Sequence, residues 1–206
     1  MSPVRLLLLT LPLLALLAAP STHRAAADEL VRVNAQVGYA VQPDVAPIHV
    51  SWQVSLQNND PRTVNQGGGT IAFYDSYPLP ILRGATDISA LSPSGTPLSV
   101  TQDDSTPGPL VTATVGFDRM LFYQDSYSFS LDYDLPAARE ESLLVTPYYI
   151  FLPLIASGDD VTVTVSTPAA DSAWQSVLEP VDCARSGDAF TCAGSKSVYL
   201  AAFAEV

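Results

Sequence analysis

Beyond residue 27 this sequence holds one histidine, His49, and that single side chain limits the chemistry the chain can perform. Histidine is the side chain whose unperturbed pKa lies nearest neutrality, so most hydrolytic sites are built around it. A zinc-protease helix needs two histidines with a glutamate between them, and this sequence cannot supply them. A serine triad or a cysteine–histidine pair would have to use His49. It alternates with Val50 and Ile48 on a polar strand face, with no adjacent acid to orient it. No Gly-x-Ser-x-Gly nucleophile turn occurs. We therefore assign no catalytic residue, and the chain reads as a non-enzyme.

Carboxylates offer a second chemistry. They occur as Asp103-Asp104, Asp132-x-Asp134, Glu140-Glu141 and Asp159-Asp160. Paired carboxylates can hydrolyse glycosidic bonds, and clustered oxygens can hold calcium. None of these clusters has the spacing of a calcium loop. Asp103-Asp104 and Asp159-Asp160 fall in turns, where aspartate is favoured because it bonds nearby backbone N–H groups. No metal or other cofactor is expected. The tyrosines Tyr74, Tyr77, Tyr123, Tyr127, Tyr148 and Tyr149 could stack on sugar rings if exposed. Tyr127 and Tyr133, however, share a strand face with Phe129 and Leu131, which makes them core. The two cysteines, Cys183 and Cys192, are close in sequence, and metal-binding partners are lacking nearby. In an oxidising compartment that pattern reads as a disulfide, with Cα atoms about 4.4–6.8 Å apart.

The elements that carry these residues are strands. Val31, Val33, Ala35, Val37, Tyr39 and Val41 alternate with Arg32, Asn34, Gln36, Gly38 and Ala40. Ile48, Val50, Trp52, Val54 and Leu56 alternate with His49, Ser51, Gln53, Ser55 and Gln57. The same period of two recurs from Val111 to Phe117, Tyr127 to Leu135 and Val161 to Val165. A strand is expected from Ile71 to Tyr77, ending before Pro78 and Pro80. Leu143 to Ile155 reads as one buried strand bent at Pro147 and Pro153, Ala137 to Ser142 as a single helical turn, and Val198 to Val206 as a last strand. Seven to nine strands separated by turn signals predict an all-β fold, an antiparallel β-sandwich that is immunoglobulin-like in the broad sense. A barrel is the alternative. The face carrying Trp52, Val50 and Val54 is expected to point inward with Phe129, Leu131 and the Val161–Val165 valines.

The first 27 residues are of another kind. Arg5 precedes 14 residues, Leu6 to Ala19, with almost nothing polar, and Ala25-Ala26-Ala27 provides a small-residue exit. This is the layout of a signal-peptide helix, too short for the roughly 20 residues of a spanning helix. Residues 1–27 are expected to be removed, leaving 28–206 as one sandwich domain with no stable membrane span. That part keeps seven basic residues against 21 acidic ones, a formal charge of −14. Such a charge repels nucleic acid and anionic surfaces. The expected location is secreted or extracytoplasmic, and the near absence of lysine suggests a bacterial source.

Several segments carry a resemblance: Val41-Gln42-Pro43-Asp44, Leu56-Gln57-Asn58, Tyr77-Pro78-Leu79-Pro80, Arg83-Gly84-Ala85, and Tyr127 to Pro136 with its Leu-x-Tyr-x-Leu-Pro core. In this order they resemble the N-terminal β-sandwich that precedes the catalytic domain of exported bacterial transglutaminase-like proteins. More distantly they are similar to the N-terminal sandwich of zinc aminopeptidases. The resemblance implies an accessory module, because in both families the chemistry lies in the domain that follows. The leading expectation is thus an exported, non-catalytic module that binds an unidentified protein or cell-surface ligand. A carbohydrate-binding module and a small hydrolase using paired carboxylates are the alternatives. Export with cleavage predicts that secreted protein begins at or near Asp28 on N-terminal sequencing; a secreted product retaining Met1 would refute it.

Overall fold

The computed structural model describes residues 30–42, 45–63, 73–105, 107–136, 139–140, 143–146, 149–167, 175–176, 182–195 and 198–205. Residues 1–27, expected to be a signal peptide, lie outside them. In chain order the strands are β1 (Val31–Gln42), β2 (Val45–Asn58), β3 (Tyr74–Leu82), β4 (Thr86–Leu91), β5 (Pro97–Leu98), β6 (Val100–Asp103), β7 (Leu110–Leu121) and β8 (Ser126–Leu135). They continue as β9 (Arg139–Glu140), β10 (Leu143–Thr146), β11 (Tyr149–Ala156), β12 (Asp160–Ser166), β13 (Gln175–Ser176), β14 (Asp182–Ser186), β15 (Ala189–Ser195) and β16 (Val198–Glu205). Among the described residues no helix is long and apolar enough to cross a membrane.

The alternation written in the sequence decides which face each strand buries. β1 hides Val33, Ala35, Val37, Tyr39 and Val41, and β2 hides Ile48, Val50, Trp52, Val54 and Leu56. They pair antiparallel with Val37 opposite Trp52 and Tyr39 opposite Val50. β8 then pairs with β2, so Phe129 opposes Val54 and Leu131 opposes Trp52. A slip of one residue in either ladder would turn the whole apolar row to water. The large sheet has eight strands in the order β14-β15-β12-β1-β2-β8-β4-β5. A three-stranded sheet, β3-β7-β6, and a five-stranded one, β13-β16-β11-β10-β9, supply the opposite layer. One buried cluster draws on all three sheets, which makes the fold a β-sandwich.

Four local expectations change. β3 runs through Pro78 and Pro80 to Leu82 instead of stopping before them. It is an edge strand paired only with β7, and at an edge a proline's missing N–H costs no ladder bond. The 143–155 run is a hairpin, β10 against β11 with Thr146 opposite Tyr149, not one bent strand. Arg139–Glu140 within the expected helical turn is a short strand paired with β10. Finally, β12 lies parallel to β1, with Val161 beside Ala35 and Val163 beside Val37. The valine pattern placed β12 in the core, but strand direction leaves no trace in a period of two.

Tyr39 joins the two layers. Its hydroxyl accepts a hydrogen bond from the Ile155 N–H at 2.9 Å and donates to the Ile155 carbonyl at 3.2 Å. β11 pairs with β16 as far as Ala156, with Ile155 opposite Tyr199, but β10 reaches only to Phe151, so on its β10 side Ile155 has no strand beside it and takes a side chain as partner instead. Burial pushes the Tyr39 phenol well above its usual pKa, and Tyr133 is pushed up to about 12, again by burial. Tyr39→Phe should therefore destabilise the domain by about 2–4 kcal/mol, because it leaves a buried N–H and carbonyl unpaired. Chemical denaturation would show this, and a change below about 0.5 kcal/mol would mean that the hydroxyl does not hold the layers together.

Candidate functional site

Two surfaces stand out from the described residues: the open face of the large sheet and one end of the sandwich. The open face carries every second residue of β12, β1, β2 and β8. Gln36 of β1 lies between Thr162 and Gln53, and Asn34 lies between Asp160 and Ser55. These side chains line a shallow depression of about 530 Å³. Arg32 stands at its rim, 3.7 Å from Asp160, with both side chains well exposed. Amides and hydroxyls in this arrangement can exchange hydrogen bonds with a polar ligand, but none is poised to move a proton.

His49 sits further along the same face, and here the expectation of no adjacent acid is overturned. Antiparallel pairing sets His49 opposite Asp134 and Ser51 opposite Asp132. His49 Nδ1 is 2.9 Å from Asp134 Oδ1, and Nε2 is 3.7 Å from Asp132 Oδ1. The acids lie 83 and 85 residues away in sequence, so only strand pairing brings them together. The histidine side chain is about half exposed. Both ring nitrogens face carboxylates, so the ring is not turned towards a serine or cysteine nucleophile. The cluster is an exposed side-chain hydrogen bond, His49 to Asp134, tying β2 to β8.

The other acids do what their turn positions suggested. Asp103 accepts a hydrogen bond from the Ser105 N–H at 2.9 Å, and hydrogen bonding from the Ser105 side chain first, then from its backbone, lowers the Asp103 pKa. Asp159 Oδ2 accepts from the Val33 N–H at 2.7 Å and so fixes the entry to β12. Among the described residues no group of three His, Cys, Asp or Glu side chains could hold a metal ion. The side chains of Glu140 and Glu141 lie outside the described residues. The Cys183–Cys192 disulfide is present, across directly opposed positions of β14 and β15. Its Cα separation of 4.1 Å is below the expected range. Facing residues of an antiparallel pair come this close where they are not hydrogen-bonded to each other.

Among the described residues the candidate tyrosines differ in burial and do not stand out together as an exposed row. Tyr127 is buried as expected, Tyr74 and Tyr77 are half-buried, and Tyr123 is exposed. The side chains of Tyr148 and Tyr149 lie outside the described residues.

Sequence patterns missed the end of the sandwich where β2 runs out. Asn58 is fully buried there and acts as a hub. Its amide donates to Thr63 Oγ1 at 3.0 Å and to the Leu121 carbonyl at 3.1 Å, and its carbonyl Oδ1 accepts from the Asp60 N–H at 2.8 Å. Its backbone bonds Asp125 and Gln124. Asp60 takes a two-pronged bond from Arg62 and a third from the Tyr74 hydroxyl at 3.1 Å. Around this hub are Leu30, Phe73, Met120 and Tyr123, four of the five large apolar side chains left exposed among the described residues. Leu30 accepts from the Asn59 N–H, and Phe73 packs edge-on against Phe122 at 6.1 Å. A signal existed in the unbroken run Met120-Leu121-Phe122-Tyr123, in which only Leu121 can point inward at the end of β7.

No protein-family model matches this chain, and no curated protein matches it. Among solved structures, an M1 zinc metallopeptidase from Deinococcus radiodurans aligns at TM-score 0.43 and 10% identity, over 86% of this chain and 42% of that one. A two-domain M1 zinc metallopeptidase mutant bound to L-arginine aligns at 0.44 and 10% identity, over 85% and 42%. These are weak likenesses of fold, and the chain spans less than half the length of the structures it matches.

The Asp60 carboxyl is held well below the usual carboxylate range, first by the Arg62 hydrogen bonds. Unfolded aspartate titrates near about 3.9. The stabilisation from Asp60 is thus complete above that pH and is lost as pH falls from there towards the lower folded value. Asp60→Asn should flatten this acid limb: its melting-temperature deficit relative to the parent should shrink between about pH 5 and pH 2. A deficit that stays constant over that range would show that the Asp60 charge is not what ties the corner.

Proposed function

We propose that residues 28–206 form an exported, non-catalytic β-sandwich module that works by contact with a partner. The observation that carries this reading is that four of the five large apolar side chains exposed among the described residues, Leu30, Phe73, Met120 and Tyr123, belong to segments that meet at the Asn58 corner. Scattered exposed apolar residues are ordinary, whereas gathered ones mark surfaces of interaction. Phenylalanine, tyrosine, methionine and arginine are also the residues enriched in protein interfaces, and Arg62 and Arg119 lie beside them.

The electrostatics point the same way. A carboxylic acid that donates a proton near neutral pH needs a raised pKa. Among the described residues the two aspartates whose pKa clearly moves, Asp60 and Asp103, both move down. Both are spent on local hydrogen bonds. His49→Ala and Asp132→Asn should accordingly leave every measurable property of the secreted protein unchanged apart from small stability effects. Assays on glycan, ester and peptide substrates should show no turnover. Activity that either substitution abolishes, with the circular dichroism spectrum intact, would overturn the proposal.

A further inference from the structure

We propose that the Asn58 corner takes a partner that is basic as well as apolar, a protein segment carrying lysine or arginine beside large aliphatic side chains, and that a bulge in β7 receives its cation. This rests on the reading of that corner as a contact surface and names the chemistry of what it contacts. The bulge is visible in the strand register. Tyr74 of β3 lies opposite Leu121 of β7, yet Ser76, two residues on, lies opposite Gly116. The single residue Asp75 is therefore matched by four, Phe117, Asp118, Arg119 and Met120. A bulge bends its strand and re-aims the side chains it carries. Here it breaks the alternation of β7, so that Asp118, Arg119 and Met120 are exposed in succession, as is Asp75 opposite them. Phe73, just before β3, and Tyr123, just after β7, are exposed on the segments that continue from it.

Charge decides the kind of partner. The segments at this corner carry Asp60, Asp75, Asp118 and Asp125 against Arg62 and Arg119, so acids outnumber cations. Arg62 is held by Asp60 at 2.8 Å and Arg119 by Asp125 at 3.7 Å. Asp75 accepts from the Ser76 hydroxyl at 3.0 Å, and Asp118 from the Tyr127 hydroxyl at 2.8 Å. Among the described residues neither of these two makes an ion pair. A partner closing over Phe73, Met120 and Tyr123 would strip water from both carboxylates. Taking a charge out of water is costly unless an opposite charge meets it. An uncharged apolar partner fails that condition. A second copy of this acidic chain, or a surface of phosphates, fails it further by repulsion. A lysine or arginine set against Asp75 or Asp118 satisfies it. The formal charge of −14 after residue 27 would also draw such a partner in from a distance.

The test uses three synthetic peptides of about 18 residues with leucine on one helical face and lysine, glutamine or glutamate on the other. Each is titrated to about 1 mM against the labelled secreted protein. The lysine peptide should bind about tenfold tighter than the glutamine peptide, and the glutamate peptide should not bind. Raising sodium chloride from about 20 mM to about 200 mM should weaken the lysine peptide about threefold. Phe73→Ser with Tyr123→Ser, and separately Asp75→Asn with Asp118→Asn, should each weaken it about tenfold with the circular dichroism spectrum unchanged. Asp104→Asn with Asp188→Asn removes the same charge elsewhere: Asp104 follows Asp103, which pairs with Thr112 near the other end of β7, and Asp188 lies in the β14–β15 turn. That variant should bind within about twofold of the parent. Equal weakening in it would reduce the attraction to overall charge and overturn docking at the bulge. A glutamine peptide that binds as tightly as the lysine one, and still depends on Phe73 and Tyr123, would overturn the basic partner and leave the contact surface standing. Self-association of the protein alone, or binding to phosphatidylcholine vesicles, that needs Phe73 and Tyr123 while the lysine peptide does not bind would give the corner to a second copy or to a lipid surface. Indifference of every peptide to Phe73 and Tyr123, with neither of those alternatives seen, would sink both the proposal and the contact surface it rests on.

Discussion

The two layers of this sandwich are pinned where a strand loses its neighbour. β11 outruns β10, and on that side Ile155, paired with Tyr199 of β16 on the other, has no strand beside it. The Tyr39 hydroxyl, reaching across from the large sheet, meets both its N–H and its carbonyl. Burying an unpaired backbone group costs about as much as an entire hydrogen bond gains. That single phenol therefore ties Ile155 of β11 to β1 across the two layers. The apolar rows of β1, β2 and β8 then fill the space so defined, with Trp52, Tyr39 and Tyr133 the largest of their buried side chains.

From this frame the polar face and the apolar end follow as consequences. Three ladders in fixed register lay Thr162, Gln36 and Gln53 in one row, and Asp160, Asn34 and Ser55 in the next. The same registers deliver Asp134 and Asp132 to His49. At the end of β2, Asn58 replaces ladder partners for three chain segments at once, and its hydrogen bonds fix the turn that displays Tyr123. The surface there is apolar because the frame beneath it is already satisfied by polar bonds. It can afford Phe73, Met120 and Tyr123 outside without losing its shape.

A binding role and a catalytic one would use these groups differently. Catalysis by acids requires a carboxyl kept dry and protonated. Here the aspartates are given to turns, to arginines and to an exposed histidine. Contact with a partner requires only a rigid surface that loses water readily. The corner around Asn58, with its hydrogen bonds buried and its apolar groups outside, meets that requirement.

Much of the fold was legible in the sequence, because a strand with one buried face must alternate. Val33 to Val41, Ile48 to Leu56 and Tyr127 to Leu135 each declared their inward face, and the nearness of Cys183 and Cys192 declared their bond. Proline misled the reading at β3 and in the 143–155 run. It forbids a ladder bond only where a neighbour exists, and sequence does not say which strand lies at an edge. Tertiary structure alone decided that β12 runs parallel to β1, that Asp132 and Asp134 flank His49, and that Leu30, Phe73 and Tyr123 share one end of the molecule. Alternation encodes which face is buried, a local property of period two. Strand order, direction and register depend on contacts between residues far apart in the chain, and those exist only once the core has closed.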